Sequence, residues 1–191
     1  MRAQPPLGPL PGAPPINWFL DPSNTELDFS VRLLGVTNVR GRFTRFHGSV
    51  SPGTASGTWS VLVTIDLSSI DTGNPKRDDH LRSATVLDVE RFPTATFEAA
   101  TRAYPAEAQV LAGNLAMHGQ SEPVELHVMR VDSDTSIAES TTYSATGRLS
   151  RSAVGVGRWH GWGLVIADTV RLALTTNEMP ITASTKGNAK Q

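Results

Sequence analysis

Ionisable residues that could do chemistry are concentrated between positions 71 and 82. They are Asp71, Arg77, Asp78, Asp79, His80 and Arg82. In such a group, Asp78 and His80 have the side chains of a general acid and a general base. The same aspartates and arginines can instead cap a short helix and tie it to a neighbouring strand, and this structural interpretation is favoured. The chain also lacks a Gly-x-Ser-x-Gly nucleophile motif, and we expect no catalytic residues.

The histidines are the candidates for a metal site. They are His47, His80, His118, His127 and His160. No two of them are four residues apart, and none forms a His-x-His pair. His118 and His127 flank one hairpin, but a metal ion would need a third ligand. The chain has no cysteine, so thiolate ligands are excluded, and we expect neither a metal nor another cofactor.

A glycine-rich segment from Gly155 to Gly163 carries two tryptophans, Trp159 and Trp162, close to Arg151 and Arg158. Tryptophans on such a loop can form a lid over an apolar cavity, with the arginines meeting a polar head group. They can equally pack on the outside of the domain or at a dimer contact. The sequence leaves both interpretations open.

The composition excludes several classes of partner. The chain has 191 residues and a formal net charge of −1, which is the size of one domain. Its near-neutral balance gives no electrostatic case for a nucleic-acid or anionic-membrane partner. It has no apolar run of about 18 residues or more, so we expect no stable membrane insertion.

Proline distribution defines the expected domain boundaries. Six prolines in the first fifteen residues are incompatible with the continuous apolar helix of a secretory signal. We therefore expect a disordered proline-rich arm over residues 1–16, one domain over 17–180, a disordered tail over 181–191 and a cytoplasmic location.

Apolar and polar residues alternate through most of the domain. In the clearest example, Leu27, Phe29 and Val31 alternate with polar residues. Eight such segments, joined mostly by short turns, predict a closed antiparallel barrel or a sandwich. In one of them the apolar phase shifts between Phe43 and Phe46, which predicts a bulge. A charged segment over 78–83 predicts one short helix.

Several strings, in their order and spacing, resemble the YceI-like family. The most specific are Ser-Ile-Asp-Thr-Gly-Asn from Ser69, Arg-Asp-Asp-His-Leu-Arg-Ser from Arg77 and Phe-Pro-Thr-Ala-Thr-Phe from Phe92. The resemblance covers nearly all of the chain from Trp18 to Met179. It implies an all-β fold, an eight-stranded antiparallel lipocalin-like barrel with a short helical cap. It also implies an apolar interior that holds an isoprenoid or similar amphiphile. Members of the family are often dimeric, and the family as a whole has no assigned catalytic residues.

The function expected from the alternation and the resemblance together is binding of an isoprenoid-like or fatty amphiphile, as a carrier, storage or sequestering protein that forms a homodimer. One alternative is an enzyme or biosynthetic accessory that uses the cavity as a reaction chamber, with Asp78, His80 or His160 at its mouth. Another is an interaction module with a filled barrel. The candidate ligand-binding residues are Leu27, Phe29, Val31, Leu33, Phe43, Trp59, Val61, Phe97, Leu115, Met117, Leu126, Val128, Tyr143, Arg151, Trp159 and Trp162.

Overall fold

A computed structural model describes residues 18–33, 37–54, 58–102, 108–131, 142–156 and 166–177. Within these ranges the chain forms strands and two short helical segments. The predicted arm, the tail and the loop with Trp159 and Trp162 lie outside the described residues. The strands are β1 (Trp18–Leu20), β2 (Thr25–Leu33), β3 (Thr37–Phe43), β4 (Phe46–Pro52), β5 (Trp59–Asp66), β6 (Ile70–Asp71), β7 (Thr94–Thr101), β8 (Ala108–Met117), β9 (Gln120–Val131), β10 (Thr142–Ser150) and β11 (Ile166–Asn177).

All of these strands join one antiparallel sheet in the order β1-β4-β5-β7-β8-β9-β10-β11-β2-β3-β6. The described residues are mostly strands, so the all-β prediction is confirmed. The prediction of a closed barrel is wrong for them, because the sheet is a half-barrel whose end strands β1 and β6 are not neighbours in the strand order. Its two ends are connected along the chain, because β3 leads into β4 through Thr44 and Arg45, and β5 leads into β6 through a 3-10 turn over Leu67–Ser69.

The prediction of eight strands is wrong for the described part of the chain, which contains eleven. Two of the additional strands are the short β1 and β6. The third arises where the apolar phase shifts after Phe43. The sequence suggests a bulge in one strand there, whereas the structure has a break, and the Thr44 N–H donates to the Ser69 carbonyl at 3.2 Å. The break lets β3 pair with β2 and β6 while β4 pairs with β1 and β5.

The helix of the central stretch, α1, spans Pro75–Arg82. It begins three residues earlier than the sequence predicts. Asn74 caps it, because its side-chain oxygen accepts the Arg77 N–H at 3.2 Å. Pro75 fits the first helical turn, where its missing N–H leaves no hydrogen bond unmade.

The turn between β8 and β9 contains two residues, His118 and Gly119. Both have positive φ, 53° and 71°, as the favoured two-residue hairpin turns require. Met117 and Gln120 are directly paired, and Pro123 lies within β9, where its side chain is exposed. The favourable turn geometry of His118-Gly119 therefore outweighs the tendency of Pro123 to interrupt a strand.

Candidate functional site

The inner face of the sheet encloses an apolar cavity of about 400 Å³. Ten of the residues predicted to bind a ligand lie along it, nine apolar and one arginine. They are Leu27, Phe29, Val31, Leu33, Phe43, Phe97, Leu115, Met117, Leu126 and Arg151. The volume lies within the range of about 300–1,000 Å³ that is typical of small-molecule sites. Alternation therefore indicates correctly which side chains point inward along these strands.

Four other predicted residues do not line the cavity. They are Trp59, Val61, Val128 and Tyr143. Val128 and Tyr143 are buried in the core, and the Tyr143 ring packs 5.4 Å from that of Trp18, centroid to centroid. The interior is therefore hollow on one side and filled with side chains on the other.

Sequence reasoning missed several lining residues. They include Val63, Ala95, Ala145, Leu149, Val154, Val156, Val170, Leu172 and Leu174. Four of them, Val63, Ala95, Ala145 and Leu149, continue the alternation of strands that carry predicted residues, and three others lie on β11, which carries none. Val154 and Val156 follow β10 in a turn, and alternation gives no signal there.

The helical end of the cavity is bordered by Arg77 and His80 of α1 and by Arg151, which follows β10. Arg151 Nη1 donates to the Val156 carbonyl at 3.2 Å. These side chains contribute mainly their apolar atoms to the lining, so the enclosed space is almost entirely hydrocarbon.

Helix α1 is attached to the sheet by a group that we call the rim cluster: Thr72, Arg77, Asp78 and Arg82. The buried Asp78 carboxylate accepts hydrogen bonds from Thr72 N at 3.0 Å and from Thr72 Oγ1 at 2.5 Å. Thr72 Oγ1 also accepts from Arg77 Nε at 2.7 Å. Arg82 donates to the carbonyls of Ser68 and Ile70 at 2.8 and 2.7 Å. Because the Asp78 carboxylate is occupied by Thr72, this geometry favours a structural role over acid–base chemistry.

A second anchor holds the turn that follows β10. The carboxylate of Asp168 accepts from Ser150 Oγ at 2.5 Å and from Ser152 N at 2.8 Å. The hydrogen bonds from Ser150 and Ser152 hold the pKa of Asp168 below its ordinary value. This turn places Val154 and Val156 against the cavity, so Asp168 positions part of the cavity wall.

The two histidines that flank the β8–β9 hairpin are not brought together. His118 lies in the turn, where its Nε2 contacts the Leu87 carbonyl and its ring stacks on Phe92 at 4.5 Å between centroids. His127 is exposed on β9 and lies opposite Val110. Among the described residues, no three histidine, aspartate or glutamate side chains are grouped as metal ligands. In the same part of the chain, no helix is long and apolar enough to cross a membrane.

A wider depression of about 1420 Å³ lies over the outer face of the sheet. Arg148 and Arg171, which are opposite one another on β10 and β11, border it, as do the acidic residues Asp28 and Glu125. It is open, and its charges are mixed. The apolar cavity is therefore the better candidate site.

Comparison with known proteins supports this architecture. BcnA of Burkholderia cenocepacia superimposes with a TM-score of 0.69 at 22% identity, over 83% of this chain and 99% of that one. A polyisoprenoid binding domain from Saccharophagus degradans gives 0.62 at 17% identity, over 86% and 99%. At these identities the likeness shows a shared fold.

Sequence relatives are similar over a shorter span. A UPF0312 protein of Vibrio cholerae is 33% identical over 107 residues, which is 55% of this chain and 57% of that protein. A UPF0312 protein of Pseudomonas aeruginosa is 36% identical over 101 residues, 52% of this chain and 53% of that protein. The matches thus span little more than half of these relatives. The model of the YceI-like domain matches residues 18–177, and the chain belongs to the YceI-like family.

Proposed function

We propose that this protein binds an isoprenoid-like or fatty amphiphile with its apolar chain inside the cavity, as a carrier, storage or sequestering protein. The observation that carries the proposal is the cavity of about 400 Å³ on the inner face of the sheet, with its almost wholly apolar lining. Transfer of each methylene group from water into such a space contributes about 0.8 kcal/mol. The solved neighbour described as a polyisoprenoid binding domain supports the same class of ligand.

The alternatives have less support. A reaction chamber needs a reactive group at the cavity, and Asp78 is occupied by hydrogen bonds from Thr72. His80 borders the cavity, while His160 lies outside the described residues. A filled-barrel interaction module does not account for the hollow part of the interior. The homodimer and the cytoplasmic location stay predictions.

A matched pair of substitutions on β7 tests the proposal. Ala95 is buried and lines the cavity, whereas Ala100 is exposed on the opposite face of the same strand. Ala95→Trp places an indole in the cavity and should abolish binding of the apolar fluorophore N-phenylnaphthylamine. Ala100→Trp should leave that binding unchanged. Equal binding by the two folded variants, with melting curves as the check on folding, would show that the ligand does not enter this cavity.

A further inference from the structure

The cavity ends abruptly along three neighbouring strands. Ala145 on β10, Leu174 on β11 and Leu27 on β2 are paired in register, and all three line the cavity. The next inward-facing level, two residues further along each strand, consists of Tyr143, Thr176 and Thr25. None of these three lines the cavity. The boundary between hollow and filled interior therefore lies between two adjacent levels of side chains.

The residues of the filled level are buried and closely packed. Tyr143, Thr176 and Thr25 are all buried, and the hydroxyl oxygens of the two threonines are hydrogen-bonded at 2.8 Å. The buried Trp18 packs against the Tyr143 ring. We call Trp18, Thr25, Tyr143 and Thr176 the cavity floor. Its atoms are held by ring packing and by a buried hydrogen bond, so an apolar chain that reached it would have to displace them to go further.

The opposite limit is set near α1. Leu149, Val170 and Val31 form a paired level that lines the cavity on the helical side. On β2 the lining continues past that level, from Leu27 to Leu33, and these six residues advance roughly 20 Å at about 3.3 Å per residue.

We propose that the cavity floor makes this protein selective for the length of the apolar chain that it encloses. The preferred ligand is a single-chain amphiphile whose buried part spans no more than the roughly 20 Å between the helical end of the cavity and its floor, such as a tetradecyl chain or a three-unit isoprenoid. An extended polyisoprenoid of eight units is longer than this distance. The lining is almost wholly hydrocarbon, so length and shape determine selection inside the cavity. This inference rests on the proposed function, since it assumes that the cavity holds the chain.

The test is a competition series on the full-length protein. N-phenylnaphthylamine is displaced by decanol, tetradecanol, octadecanol and docosanol, which share one head group and differ only in chain length. In the wild-type protein, affinity should increase about fourfold per added methylene from decanol to tetradecanol. It should change by less than about tenfold from tetradecanol to octadecanol, because the extra carbons are not enclosed.

Two variants move the floor in opposite directions. Tyr143→Ala removes the ring beside Trp18 and should extend the increase in affinity to octadecanol. Ala145→Leu adds a side chain just above the floor and should end the increase below tetradecanol. If the melting curve shows that Tyr143→Ala does not fold, Ala145→Leu still tests whether the floor sets the length limit. This substitution fills space in the cavity and does not create a new one in the core. Met129→Ala, at an exposed position of β9, is the control and should keep the wild-type series.

The outcomes separate the two proposals. Failure of the wild-type protein to bind the fluorophore or any alcohol would overturn the proposed function itself. An affinity that increases through docosanol would leave that function in place and overturn the length limit. If the affinity of Ala145→Leu stopped increasing at the same chain length as that of the wild type, the floor would not set the length limit.

Discussion

The ring of Phe29 lies over Gly41 on the neighbouring strand, with the two residues directly paired between β2 and β3. A Cβ atom added to Gly41 would come within 2.5 Å of Phe29 Cζ. Phe29 also lines the cavity. The missing side chain at Gly41 therefore leaves the space in which an aromatic ring lies flat against the wall, and this keeps the cavity open.

A comparison with Gly113 makes this relationship testable. A Cβ atom there would lie 2.5 Å from the backbone carbonyl oxygen of Glu98, which cannot move without disturbing the sheet. Gly113→Ala should lower the free energy of unfolding by about 1–3 kcal/mol. Gly41→Ala should cost less, because the Phe29 ring can tilt into the cavity and alanine gains about 0.5–1 kcal/mol over glycine in a strand.

Chemical denaturation measures the loss of unfolding free energy in each of the two variants. Fluorophore binding measures how much of the cavity remains open to a ligand. Gly41→Ala should weaken binding, because the displaced ring occupies ligand space. Equal stability losses in the two variants, or unchanged binding by Gly41→Ala, would contradict this explanation of the Phe29–Gly41 pair.

The rim cluster gives a second prediction. Thr72→Val keeps the shape of the side chain but removes the hydroxyl that donates to Asp78 and accepts from Arg77. Leaving a buried carboxylate without this partner costs about 1–3 kcal/mol. We expect that loss of stability in urea unfolding, together with faster ligand release, because α1 borders the cavity.

Thr72→Ser is the matched control for the rim cluster, because it retains the hydroxyl. It should keep most of the stability and a release rate close to that of the wild type. If Thr72→Ser loses as much as Thr72→Val, the methyl group and not the hydrogen bonds would hold the helix.

The lowered pKa of Asp168 predicts that the free energy of unfolding depends on pH in the acidic range. Its folded-state pKa is lowered by hydrogen bonds from Ser150 and Ser152, so the carboxylate stabilises the folded protein above the unfolded-state pKa of about 4. This contribution is lost as the pH falls through the lower folded-state value. Asp168→Asn should therefore be less stable than the wild type near neutral pH, and the difference should shrink at strongly acidic pH.

Urea unfolding across this pH range, with Glu98→Gln as an exposed-carboxylate control, measures the effect. Glu98→Gln should follow the wild type throughout. A stability difference between the wild type and Asp168→Asn that does not change with pH would show that the charge of Asp168 does not anchor the turn after β10.

Alternation predicts which face of a strand is buried but not at which residue along the strand the cavity ends. Phe29 and Tyr143 are both correctly assigned inward, yet one lines the cavity and the other closes it. The position at which the cavity ends depends on the register between strands that are distant in sequence. Examples are the pairing of Tyr143 with Thr176 and of Thr176 with Thr25. That register follows from long-range pairing and from the tilt of the strands.

Local signals were ambiguous where two interpretations compete. The phase shift after Phe43 is compatible with a bulge or a break, and only the pairing of Phe43 with Ile70 and of Phe46 with Ile65 distinguishes them. The helix begins at Pro75 and not at Asp78, because Asn74 caps it and proline is accommodated in the first turn.

The most direct test of the cavity-binding proposal is native mass spectrometry of the protein purified from its own host, followed by organic extraction. The account predicts an added mass that is released as a single-chain isoprenoid or fatty amphiphile, and its loss in Ala95→Trp. A folded protein that carries no added mass, and that gains none after incubation with tetradecanol, would contradict the proposal that the cavity holds an apolar chain.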